Sequence, residues 1–85
     1  MPSKTVVVGS SVGLHARPAA IISEAAGDLD SEVLIGLPGD EPVDASSALL
    51  IMTLGAGNGV TVEVSGDDQG DVDKIAALVE QDLDA

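Results

Sequence analysis

The chain has 85 residues, no Cys, no aromatic residue and a single His, and its 15 acidic against 3 basic side chains give a formal net charge of −12. That length supports one domain, residues 1–85, near the size at which a hydrophobic core suffices without disulfide or metal staples. The absence of thiols excludes disulfides and thiolate metal sites, and a lone His argues against a His-rich metal centre; no cofactor motif is present. The acidity repels nucleic-acid phosphates and anionic lipid surfaces. No apolar run approaches the ~20 residues of a membrane span, and the N-terminal run is too short for a signal peptide. The expectation is a soluble, cytoplasmic protein that neither binds nucleic acid nor inserts into a membrane.

The elements follow in order. Residues 4–9, Lys-Thr-Val-Val-Val-Gly, are β-branched and closed by Gly, which predicts a first strand. After the loop 9–13, a helix over 16–27 places Ala19, Ile22 and Ala26 on one face, with Gly27 as its stop. Residues 32–37 and 42–45 predict two strands joined in a hairpin by the Pro38-Gly39-Asp40-Glu41 turn. Ser46 and Ser47 precede the apolar run 48–54, a short second helix for which Ser is a favoured N-cap. So apolar a segment cannot point every side chain inward, and some of Leu49, Leu50, Ile51 and Met52 are expected at the surface. Gly55, Gly57 and Gly59 make a turn, and Val60 to Ser65 alternates apolar and polar residues, the pattern of a half-buried strand. Residues 66–70 read as a turn and Asp71 as the cap of a last helix with Val72, Ile75, Ala76, Val79 and Leu83 on one face. The order β-α-β-β-α-β-α predicts an α+β fold. It is a two-layer open-faced sandwich with a four-stranded, mainly antiparallel sheet and three helices on one face.

The chemistry concentrates in Gly13-Leu14-His15-Ala16-Arg17-Pro18-Ala19-Ala20, which holds the only His and the only Arg. Pro is tolerated in a first helical turn, where its missing N–H has no partner to lose. His15 and Arg17 therefore stand at a helix mouth, where the first amides lack intrahelical acceptors and the helix dipole favours an anion. The backbone amides of Ala16 and Arg17 would cradle that anion, and imidazole is a nucleophile, so His15 is a candidate phosphoryl acceptor. A His at this place also serves as a solvated loop residue or partial cap, and the residues alone leave both readings open.

The stretch Gly13-Leu14-His15-Ala16-Arg17-Pro18-Ala19 resembles the active-site signature of the HPr family, the histidine-containing phosphocarriers of the bacterial phosphoenolpyruvate-dependent sugar phosphotransferase system. The likeness extends over nearly the whole chain, through element order, the Ser-containing second helix and the Leu54-Gly55 exit. It implies a carrier rather than an enzyme. His15 Nδ1 would receive a phosphoryl group from Enzyme I and pass it to the EIIA domain of a sugar permease, with Arg17 stabilising the phosphate. It further implies partner docking by an apolar surface comprising Leu14, Ala20, Ala48, Leu49 and Met52, a transiently docking monomer, and a serine kinase acting at the position of Ser47. Core packing is the competing reading for Leu14 and Met52, and helix capping for Ser47.

Two departures stand out. The family usually places Lys or Arg before that serine, and here the residue is Ser46; capping is the favoured role of Ser47. The chain also has only Lys4, Arg17 and Lys74 as cations, so its docking is expected to rest on apolar contact. A paralogous carrier in a nitrogen-regulatory or dihydroxyacetone-kinase chain would share the same motif. In a different class, a small regulatory domain would use the Gly-rich first loop to bind a ligand, with His15 as a contact. An acyl-phosphate hydrolase would need a water-positioning amide, and Asn58 lies in a Gly turn.

Overall fold

The computed structural model describes residues 2–81. Strands β1 (Ser3–Val7), β2 (Val33–Gly36), β3 (Val43–Asp44) and β4 (Thr61–Gly66) form one sheet in the order β1-β4-β2-β3. All three ladders are antiparallel: Val6 faces Val62, Ile35 faces Val64, and Leu34 faces Asp44. Helices α1 (Ala16–Gly27), α2 (Ala48–Met52) and α3 (Gln69–Glu80) complete the α+β open-faced sandwich that the element order predicts. The period-2 pattern of β4 explains its place at the centre of the sheet. Val62 and Val64 point into the core and Thr61 and Glu63 out to water.

The core joins Val6, Val8, Val33, Ile35, Val62 and Val64 of the sheet side to Ala19 and Ile22 of α1, Ile51 of α2, and Val72, Ile75, Ala76 and Val79 of α3. These are the stripes expected for α1 and α3; Leu83 lies outside the described residues. Each fully buried Ile or Val contributes about 1.5–3 kcal/mol, so aliphatic side chains alone supply the burial that aromatics provide elsewhere. α3 packs on β1 and β4, and α1 packs on both α2 and α3.

Two helix boundaries differ from expectation. α3 begins before Asp71: Asp68 is its N-cap, its carboxylate accepting the Gly70 N–H at 3.1 Å, so the glycine that resembles a turn is a first-turn helical residue. α1 ends at Gly27 as expected, closed by the Asp28 N–H on the Ala25 carbonyl and the Leu29 N–H on the Ala26 carbonyl, each at 3.2 Å. α2 ends at Met52, where the Thr53 hydroxyl turns back onto the Leu50 carbonyl. Among the described residues no helix is long and apolar enough to cross a membrane.

Candidate functional site

The chain enters α1 through a turn closed by the Gly13 N–H donating to the Ser10 carbonyl at 2.9 Å. Gly13 has φ +77°, and a Cβ there would lie 2.5 Å from the Ala56 carbonyl oxygen, so both backbone conformation and space require glycine. Leu14 then donates its N–H to that carbonyl at 2.8 Å and turns its side chain into the core, 4% exposed. Leu14 is thus a core residue and not part of an exposed docking face; the hydrogen bond beneath it fixes the direction of its side chain.

His15 follows as the N-cap of α1, with φ −90° and ψ −168° and no side-chain cap bond. Its carbonyl accepts the Ala19 N–H at 2.9 Å, while its side chain is exposed. Pro18 has no N–H, and the Ala16 and Arg17 amides meet no protein acceptor among the described residues, nor does the Arg17 guanidinium meet a carboxylate. The first turn of α1 contains no acidic residue. The helix start thus offers the Ala16 and Arg17 amides and the positive end of the helix dipole, with the exposed Arg17 side chain two residues after the His15 imidazole in the chain, groups suited to an oxyanion.

An open pocket of about 290 Å³ lies on one side of His15, lined by Val12, Leu14, His15, Met52, Gly55, Ala56 and Gly57. Arg17 is not among its walls. Next to it α2 presents Leu49 at 70% and Leu50 at 40% exposure, and Val12 is 59% exposed. Ala20 is exposed, Ala48 and Met52 are half-buried against the core, and Ile51 is fully buried. The sequence marks the 55–59 stretch only as a turn; its role as a wall, through the Ala56 carbonyl and Gly57, depends on a contact with residues more than 40 positions earlier that no local pattern signals.

Ser47 caps α2, its hydroxyl accepting the Leu50 N–H at 3.3 Å. Ser46 is engaged differently: its hydroxyl and its N–H both donate to Asp44 Oδ1, at 2.7 and 2.9 Å. Those two donors, the hydroxyl first, hold the Asp44 carboxyl below its ordinary pKa of 3.8.

The model of the family described as "PTS HPr component phosphorylation site" matches residues 2–81. The chain belongs to the PTS HPr family. It is 36% identical over 80 residues to the phosphocarrier protein HPr of Pseudomonas putida, covering 94% of this chain and 89% of that protein. It is also 36% identical over 87 residues to the HPr of Streptomyces coelicolor, covering 99% and 94%. Among solved structures, HPr-C-His from Thermoanaerobacter tengcongensis superposes with a TM-score of 0.87 at 27% identity, over 100% of this chain and 98% of that one. The protein is therefore an HPr-type phosphocarrier of the phosphotransferase system and not an enzyme, with the open-faced sandwich of its relatives.

Proposed function

We propose that His15 is the residue of this HPr protein that carries the phosphoryl group, taking it from phosphorylated Enzyme I and delivering it to EIIA domains of sugar permeases. The observation that supports this most is the open first turn of α1: an exposed imidazole stands at a helix start whose Ala16 and Arg17 amides have no protein acceptor among the described residues. On uptake a lone pair of the His15 Nδ1 forms a P–N bond as the donor histidine's P–N bond breaks, and the electron pair of that bond returns to the donor ring. On delivery the acceptor's nucleophile forms the new bond to phosphorus as the His15 P–N bond breaks, and its electron pair returns to the His15 ring. Arg17 and the two amides stabilise the phosphoryl oxygens, so the chain contributes position and charge.

Docking in this reading uses Leu49 and Ala20 with the exposed parts of Ala48 and Met52. The single 1–85 domain acts as a cytoplasmic monomer that meets its partners in turn. Ser47 serves as a helix cap, which accounts for a serine there without a kinase.

Intact mass after incubation with Enzyme I, Mg²⁺ and phosphoenolpyruvate tests the reading. One acid-labile phosphoryl addition to the wild type, absent in His15→Ala, is expected. No addition with Enzyme I, but one with the kinase of a nitrogen-regulatory or dihydroxyacetone chain, would move the protein to that branch. An addition that survives His15→Ala would overturn the assignment of His15.

A further inference from the structure

We propose that Asn58 is a positioning residue for His15, acting as a side-chain clamp on the loop that delivers His15 to the helix start. The inference rests on the reading of His15 as the phosphoryl acceptor. Asn58 Nδ2 donates to the Ser10 carbonyl at 3.2 Å and lies 3.4 Å from the Gly9 carbonyl. The Ser10 carbonyl is also the acceptor that closes the turn onto the Gly13 N–H, two residues before His15. Asn58 therefore grips the oxygen on which the turn is built.

The clamp belongs to a seam between two loops. The Gly59 N–H donates to the Val8 carbonyl at 3.0 Å, and the Leu14 N–H to the Ala56 carbonyl at 2.8 Å. The backbones touch at Gly13, where a Cβ would lie 2.6 Å from Gly57 Cα. Backbone bonds thus hold both ends of the seam, and the side chain of Asn58 adds a tie between them. Transfer to a histidine requires the imidazole in line with the leaving nitrogen, and a misplacement of ~1 Å can cost about a hundredfold in rate. The loop is also anchored on the end of α3, with the Ser10 hydroxyl donating to the Gln81 carbonyl at 3.3 Å and the Gly9 N–H to the Val79 carbonyl at 3.0 Å. Losing the Asn58 contact would therefore let the Ser10 carbonyl, and with it the turn before His15, shift without unfolding the sheet.

The variants Asn58→Asp, Asn58→Ala and Asn58→Gln separate the possibilities. Asp has the same shape but puts an accepting oxygen where Nδ2 faces the two carbonyls, Ala removes the donor, and Gln keeps an amide donor on a longer arm. The initial rate of phosphoryl uptake is measured against carrier concentration, alongside the melting temperature and the hydrogen exchange of the Leu14 amide. The maximal rate is expected to fall about tenfold for Asn58→Asp and less for Asn58→Ala, with the half-saturating concentration within about twofold of wild type and partial recovery in Asn58→Gln. Leu14 exchange is expected to quicken in the Asp and Ala variants while the melting temperature moves by less than about 4 °C. An unchanged maximal rate overturns the proposal, as does a change confined to the half-saturating concentration, which would make Asn58 a docking residue. Because Leu14 exchange needs no partner, unchanged exchange also overturns the clamp. A wild type that accepts no phosphoryl group would instead overturn the reading of His15.

Discussion

At the N-terminal end of α1 there is no acidic residue in the segments that build the site, 1–23 and 45–62, although the chain carries 15. At its C-terminal end Asp28, Asp30 and Glu32 follow directly, and the Ser31 hydroxyl donates to Asp71 of α3 at 2.7 Å, bringing in the acidic start of that helix. Each end bears an open pocket of about 290 Å³, one framed by Val12, Leu14 and Met52, the other by Asp30, Glu32 and Asp44. Carboxylates at a helix C-terminus oppose its dipole, and no basic residue in the last turn of α1 offsets them. The start of α3 does, with Asp68 as its cap and Asp71 in its first turn. Of the three helix starts, those of α2 and α3 are closed by a side chain and that of α1 is not. The difference teaches where this acidity is tolerated. Negative charge gathers at the start of α3, which receives it, and is absent from the α1 start that no side chain closes.

The contrast can be tested most severely at Arg17. Arg17→Ala should lower the maximal rate of phosphoryl uptake about a hundredfold, the scale of losing one charged stabilising contact, while leaving the melting curve in place because the side chain is exposed. Gly13→Ala should be the costliest for stability. The positive φ and the approach to the Ala56 carbonyl together predict a loss of about 3 kcal/mol and a melting temperature lower by roughly 12 °C or more. Closed and open helix starts should then separate in thermal scans: Ser47→Ala and Asp68→Ala each cost about 1 kcal/mol, whereas His15→Ala costs nothing measurable. At the acidic end, Asp28→Asn combined with Asp30→Asn should raise the melting temperature by about 2–4 °C in dilute buffer, a gain that disappears near 1 M salt.

The smallest effect is one of pH. The folded-state pKa of Asp44 is depressed, so its bonds to Ser46 stabilise the protein above 3.8 and are lost as pH falls through the lower folded value. Denaturant titrations of wild type and Ser46→Ala should accordingly differ at pH 5 and converge in stronger acid.

The sequence makes α1 legible because Ala19, Ile22 and Ala26 repeat at helical spacing and Pro18 fits a first turn, and it makes β4 legible because apolar and polar residues alternate. The start of α3 is obscured by Gly70, which reads as a turn until the bond from its N–H to Asp68 is seen. In the site, His15 and Arg17 stand out as the only residues of their kinds, and the exposure of Leu49 and Leu50 follows from a segment too apolar to bury whole. Leu14 does not, since an apolar residue beside a glycine carries no mark of which way it points; the Ala56 carbonyl decides it. Asn58 is hidden for the same reason, because its partner Ser10 is 48 residues away in the chain.

That distance also bears on how the protein is made. β4 is hydrogen-bonded to both β1 and β2, so until residues 61–66 leave the ribosome only the β2–β3 hairpin has its partner strand. Contacts this remote in sequence form late, since long loops must close before any bond rewards them. The loop before His15 is seated on residues 56–59, so the histidine emerges early in synthesis but reaches its folded setting only when more than half of the chain has followed it. A stalled or truncated chain that ends before residue 56 thus presents His15 without the loop contacts that seat it.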